Sequence, residues 1–310
     1  MATRNEIEHL LRNQIERIWG EGRVELVDET YAEDVVDHNP IPGQPAGREP
    51  MKQVLLDFWK GLPDTRMTLH RVLAQGDYGV DFWTMTATHT GPLFGSAPTG
   101  RAIRISGIDM ARVHNGRVKD LWHFEEMFQM REQLGLSDAT FGDAVHAAPP
   151  PAAPVWDGSD EPGIDAALPD APTTEREQRN LAIARRYSEE VWATGNGNRA
   201  AELCATEIVD HCSASVSGPP GSGSPITAQL RDAAPDLRLR VERYLVDGDY
   251  VASRWAMRGT LTGATLMGIA ARGRGFDIGG MLVVKVNDDG LISNLWHVEE
   301  LDRLRAQIGA

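Results

Sequence analysis

Leu121-Trp122-His123-Phe124-Glu125-Glu126, followed by Gln133-Leu134-Gly135, returns at the far end of the chain as Leu295-Trp296-His297-Val298-Glu299-Glu300, followed by Gln307-Ile308-Gly309. In both copies the second Glu stands nine positions before the Gly. The spacing predicts a strand that delivers a carboxylate to a cavity, then a short closing helix. Working outward, Val36-Asp37-His38 is matched by Val209-Asp210-His211, Gly76-Asp77-Tyr78 by Gly248-Asp249-Tyr250, and Trp83 by Trp255. The separation stays within 172 to 174 residues, so the chain is a tandem duplication.

Each copy places helices before strands. In the first, apolar residues at helical spacing mark Glu6 to Trp19, a short segment from Val24 to Tyr31, and Glu49 to Leu62. Strands are predicted for Arg66 to Gln75, Tyr78 to Thr90, Ala102 to His114 and Arg117 to Glu125, with turns at Gly76-Asp77 and Asn115-Gly116. Helices followed by an antiparallel meander give an α+β class. The expected domains are residues 1–137 and 178–310, joined by a linker over 138–177. The part from Ala147 to Pro172 holds seven of the eighteen prolines and reads as extended chain, with Trp156 as a candidate anchor. A linker of that length lets the copies dock as a covalent imitation of a homodimer, and further pairing of whole chains is compatible with it.

Composition narrows the function. The net charge of −14 argues against nucleic acid or an anionic membrane as partner, and no apolar run is long enough to span a bilayer. Two cysteines, Cys204 and Cys212, exclude a disulfide framework and point to a reducing cytoplasm. No ligand spacing for a metal, no nucleophile elbow and no phosphate loop is present.

Asp37-His38-Asn39-Pro40, Gly76-Asp77, Thr88-His89-Thr90-Gly91, Pro98-Thr99-Gly100-Arg101, and Trp122 followed by Glu126 and Gln133-Leu134-Gly135, resemble the SnoaL-like polyketide cyclases across residues 5 to 136, and more weakly across 178 to 310. The resemblance implies the cone-shaped fold of nuclear transport factor 2-like proteins, with a sheet wrapped around helices and one apolar pocket. It also implies cofactor-free acid/base chemistry on a hydrophobic oxygenated small molecule, with an intramolecular aldol closure. The family's carboxylate near the chain end is usually Asp; here Glu126 stands at that position.

Strand alternation puts Trp122, Phe124 and Glu126 on one face and His123 and Glu125 on the other. If the apolar face lines the pocket, Glu126 enters it as a general base, and His123 and His297 face outward to an interface. The alternative for Glu126 is a surface acid at a helix start. His38 is expected to hold a substrate oxygen or orient the carboxylate, or else to bond the loop. His89 and Asp109, polar residues among apolar strand positions, must pair with each other or meet a ligand. Asn39, Phe58, Trp83, Phe94, Arg101 and Trp122 complete the expected substrate contacts. The second copy has Leu261, Leu282 and Cys212 where the first has His89, Asp109 and Asn39, which suggests an active first domain and a degenerate second one. Two other readings stay open: epoxide opening or ether-ring formation by an Asp109–Glu126 pair, and a pocket protein that only binds.

Overall fold

The computed structural model describes residues 2–41, 43–136, 174–211 and 225–309, with no side chains described for 225–228. Trp156, Cys212 and nearly all of the expected linker lie outside the described residues. The chain divides into two compact units, Met1–Ala147 and Ala148–Ala310.

The first unit opens with α1 (Arg4–Arg12). Thr3 and Glu6 cap it reciprocally, each side chain satisfying the other residue's backbone N–H. The helix then widens into a π-helical segment, Asn13–Trp19. A short turn leads through α2 (Val27–Thr30) to β1 (Tyr31–Asp37), and α3 (Arg48–Gly61) follows. Strands β2 (Arg66–Gln75), β3 (Tyr78–Thr88), β4 (Ala102–His114) and β5 (Arg117–Glu125) make the meander, and α4 (Met127–Leu134) closes the unit. The sheet order is β1-β5-β4-β3-β2, with β1 parallel to β5 and the other pairs antiparallel.

The second unit repeats this plan. It runs through α5 (Glu175–Arg186), a π-helical segment (Tyr187–Trp192), α6 (Gly197–Leu203), β6 (Cys204–Asp210) and α7 (Pro225–Ala233). Strands β7 (Arg238–Asp247), β8 (Tyr250–Leu261), β9 (Arg274–Val286) and β10 (Ile292–Glu299) follow, then α8 (Leu301–Gly309). The sheet order is β6-β10-β9-β8-β7. Because α5 starts at Glu175 behind the capping Thr174, the second unit begins inside the stretch expected to be linker.

Register decides which side chains share a face, since directly opposed residues of neighbouring strands point the same way. In the first unit Asp81 pairs with Asp109, and Asp109 with His123. One row nearer the hairpin turns, Gly79, Ala111 and Leu121 align. On the other side, Trp83, Gly107 and Glu125 align. These rows face the helices: a Cβ at Gly79 would run into Ile7 and Leu11 of α1. The face predicted to line the pocket is therefore the opposite one. It carries the buried row Phe82–Ile108–Phe124, and Trp122 stacked on His38 with ring centres 4.2 Å apart.

Candidate active site

The polar row Asp81–Asp109–His123 sits in the middle of the helix-covered face, with exposures of 0% for Asp81 and 4% for Asp109. Gln14, on the π-helical segment, reaches down and donates from Nε2 to Asp109 Oδ2 at 2.6 Å. The extra residue per turn of a π segment redirects side chains relative to a regular helix, and such segments recur at functional sites. The other oxygen, Asp109 Oδ1, has no hydrogen-bond partner. The Trp83 indole nitrogen approaches Asp109 without completing a bond. Burial, then the nearby Glu125 carboxylate, pushes the Asp109 carboxyl up to about 7, against the opposing pull of His123 and Gln14.

His123 is bracketed. Its Nε2 lies 3.0 Å from Asp37 Oδ1 and its Nδ1 2.8 Å from Glu125 Oε1. Burial opposes a charge on the ring, but the two carboxylates outweigh it and raise the imidazole well above its ordinary range. Asp37 moves the other way: His123 holds it below the usual carboxylate range despite burial. Asn39 completes this corner by accepting from the His123 backbone N–H at 3.3 Å. His123 is thus an inward imidazolium and not an outward interface residue. His297 repeats it, with Nδ1 2.6 Å from Glu299 Oε1. The outward expectation failed because a buried polar row has the same alternation as a solvent-facing one.

Glu126 lies elsewhere. It is the N-terminal cap of α4, with Oε2 accepting from the Ser106 backbone N–H at 2.8 Å. Glu300 makes the same bond to Gly279 N at 2.6 Å, so in both units this carboxylate ties the end of the last strand to its neighbour. His89 and Asp109 do not pair. Asp109 faces Asp81, and His89 is eight residues further along, roughly 26 Å at about 3.3 Å per strand residue. The His89 ring is buried, with Nδ1 against the Thr99 hydroxyl and backbone N–H at 3.1 and 3.3 Å. Burial lowers its proton affinity.

His38 and Trp122 stack on the other face, where His38 Nε2 lies 3.1 Å from Asp120 Oδ1. Arg101 is exposed and donates to the Gln133 carbonyl at 3.4 Å. Phe58 and Phe94 belong with Trp83: both pack on the apolar cluster of Trp83, Met85, Ile103, Ile105 and Leu134 that adjoins the polar row. Of the expected residues the structure gathers Asp109, Asn39 and Trp83 at one place, with Phe58 and Phe94 alongside. Gln14, Tyr31, Asp37, Asp81, His123 and Glu125 stand at the same place and are not among the expected site residues. The internal repeat singles out three of them, Gln14, Tyr31 and Asp81, which become Tyr187, Cys204 and Ser253, whereas Asp37, His123 and Glu125 are the same in both copies. Among the described residues no group of three His, Cys, Asp or Glu side chains is placed to hold a metal ion, and no helix is long and apolar enough to cross a membrane.

A mixed five-stranded sheet covered by helices, built twice, defines a tandem pair of nuclear transport factor 2-like domains. The sequence pattern of the SnoaL-like polyketide cyclases matches residues 9–134 and again 182–308. The chain belongs to that family. Among solved structures, TsrD from Streptomyces laurentii is 21% identical over 44% of this chain and 100% of its own, with a TM-score of 0.41. A putative polyketide cyclase from Bacillus cereus is 27% identical over 42% of this chain and 81% of its own, with a TM-score of 0.38. IdmH from Streptomyces antibioticus, also a putative polyketide cyclase, is 27% identical over 42% and 98%, with a TM-score of 0.38. No curated protein matches the chain.

Proposed function

We propose that the first unit is a cofactor-independent acid/base catalyst acting on a hydrophobic, carbonyl-bearing small molecule, with Asp109 as the base that removes a carbon-bound proton. The observation that carries this reading is the state of Asp109. One oxygen is fixed by Gln14, the other is without a partner, and the carboxyl titrates near 7. A base is most effective when its proton affinity matches the working pH. The His123 imidazolium, held by Asp37 and Glu125, supplies positive charge one strand away from the anion that forms. Phe58, Phe94 and Trp83 offer apolar walls beside the row, which suits a planar ring system. Ring closure by intramolecular aldol reaction is the chemistry we assign, in keeping with the family.

One observation favours a second reaction at the same place. Asp81 and Asp109 face each other across β3 and β4, and two neighbouring carboxyls, one protonated and one ionised, can open an epoxide. The pair differs from the Asp109–Glu126 pair expected from sequence, because Glu126 is committed to Ser106.

The test is ligand capture from a cell extract by native mass spectrometry, with wild type and Asp109→Asn in parallel. A small molecule held by both and altered only by wild type supports catalysis; addition of water marks epoxide opening, whereas aldol closure leaves the mass unchanged and is read from a changed retention time and fragmentation pattern. A molecule held equally and altered by neither refutes the catalytic reading in favour of a binding protein.

A further inference from the structure

Two buried hydroxyl-bearing groups beside Asp109 serve no purpose inside the fold. Tyr31, at the start of β1, is 1% exposed, and its phenol oxygen has no completed hydrogen bond, with the Trp19 side chain its one near approach. Asp81, 0% exposed, has none for either carboxyl oxygen. Folded interiors pair their polar groups almost without exception, because an orphan bears the full cost of losing its water. Both groups lie where their charges would feel Asp109. Burial, then Asp109, lifts the Tyr31 phenol and the Asp81 carboxyl well above their ordinary ranges, so both keep their protons. Asp81 also acts on Tyr31, which places the two within electrostatic reach of each other.

The second unit shows that the fold does not need them. There Cys204 begins the edge strand in Tyr31's place, both residues pairing with equivalent positions of the neighbouring strand. Ser253 stands for Asp81, and its hydroxyl finds the Leu282 carbonyl at 3.4 Å. Leu282 stands for Asp109, and Tyr187, in the second π-helical segment, for Gln14. The residues around them do not change: Trp83, His123, Glu125 and Asp37 recur as Trp255, His297, Glu299 and Asp210. The base, its holder and the two orphan groups have been replaced together, and that joint replacement marks them as one working set.

We propose that Tyr31 and Asp81 are a pair of neutral hydrogen-bond donors that receive the carbonyl oxygen of the substrate and stabilise it as it becomes an enolate. This rests on the reading of Asp109 as the base. In the step, the carbon–hydrogen bond breaks and the proton goes to Asp109 Oδ1. The bond's electron pair forms a carbon–carbon double bond, and the carbonyl π pair moves onto oxygen, where the two O–H groups donate to it. Tyr31 and Asp81 keep their protons throughout. A neutral carboxylic acid and a phenol, both desolvated, are suited to this because they add no charge that would repel an enolate. The substrate they select is a neutral molecule with an acidic C–H next to a ketone or ester carbonyl, such as a β-keto ester.

The probe is methyl 3-oxo-3-phenylpropanoate, whose exchange of the C2 protons for deuterium in D2O is followed by NMR with the full chain at low buffer concentration. Tyr31→Phe is expected to lower kcat for exchange about tenfold to a hundredfold, and Asp81→Leu about a hundredfold or more, with KM changed less than threefold. Asp81→Asn keeps a donor and retains activity within about tenfold of wild type. Asp81→Ala, which carries no donor and adds no volume, is the fallback if the Leu variant does not fold. Neither Tyr31→Phe nor Asp81→Leu should lower Tm, because each removes an orphan; a purely structural role would lower it. Exchange at the wild-type rate in Tyr31→Phe and in Asp81→Ala, with Asp109→Asn inactive, overturns the donor pair and leaves the base standing. Wild-type exchange no faster than Asp109→Asn overturns both.

Discussion

Asp109→Asn should make the first unit more stable at neutral pH while abolishing its chemistry. Asn preserves the shape and keeps an oxygen to accept from Gln14 Nε2, now 2.6 Å from Asp109 Oδ2. What it removes is a buried carboxyl whose proton affinity folding lifts from 3.8 to about 7. A group raised in this way contributes most below its unfolded value, and that contribution is lost as pH climbs through the folded one. Each pH unit of the interval is worth about 1.36 kcal/mol, so the ionised carboxyl costs the folded state roughly 4 kcal/mol above pH 7. The variant escapes that cost. Urea unfolding at pH 4, 7 and 8.5, reading the transition of the first unit, should show the two proteins within about 1 kcal/mol at pH 4. The variant should then be ahead by about 2–4 kcal/mol at pH 8.5, the lower figure allowing for relaxation around the charge. A difference that does not vary with pH, or a variant that is less stable at pH 8.5, would falsify the account of Asp109 as a base kept in a hostile setting.

Gln14→Leu removes a bond that favours the ionised form of Asp109. Its proton affinity then rises by about one pH unit, so exchange of the β-keto ester should fall roughly fivefold at pH 7 and recover by pH 9; a uniform loss across pH would count against it. Gly107→Ala puts a methyl group into the Trp83 ring, and thermal unfolding should register a loss of about 1–3 kcal/mol, as it should for Gly280→Ala against Trp255. Glu126→Gln keeps an acceptor for Ser106 N, so deuterium exchange should stay within about threefold of wild type; a hundredfold loss would return the role of base to Glu126.

The fold was legible because it is written twice, and because hairpin turns and helical spacing are local. The predicted strands reproduce β2, β4 and β5 as observed, and β3 ends two residues early at Thr88. The site was only partly legible. Alternation in β5 separates Trp122 and Phe124 from His123 and Glu125, but it does not say which side the helices cover. The apolar face is the expected pocket lining, whereas the helices cover the face that carries His123, and Phe124 is buried on the opposite one. Glu126 stands out in the sequence as an acid at a strand end; what the sequence does not show is that its Oε2 accepts from the Ser106 backbone N–H and that it begins α4. Gln14 was hidden for another reason. A π-helical turn within a run of helical residues leaves no distinct mark in the sequence, and Gln14 reaches Asp109 across 95 positions only once the chain is folded. Tyr31 and Asp81 read as ordinary strand residues because being without a partner is a property of the surroundings.

Where β3 and β4 carry Asp81 and Asp109, β8 and β9 carry Ser253 and Leu282. On the reading proposed above, the second unit is an internal control, the same architecture with a small hydroxyl and an apolar residue at the two positions assigned to chemistry. Substituting Ser253→Asp and Leu282→Asp would load that architecture with two buried carboxyls, and the second unit would have to be stable enough to absorb the loss.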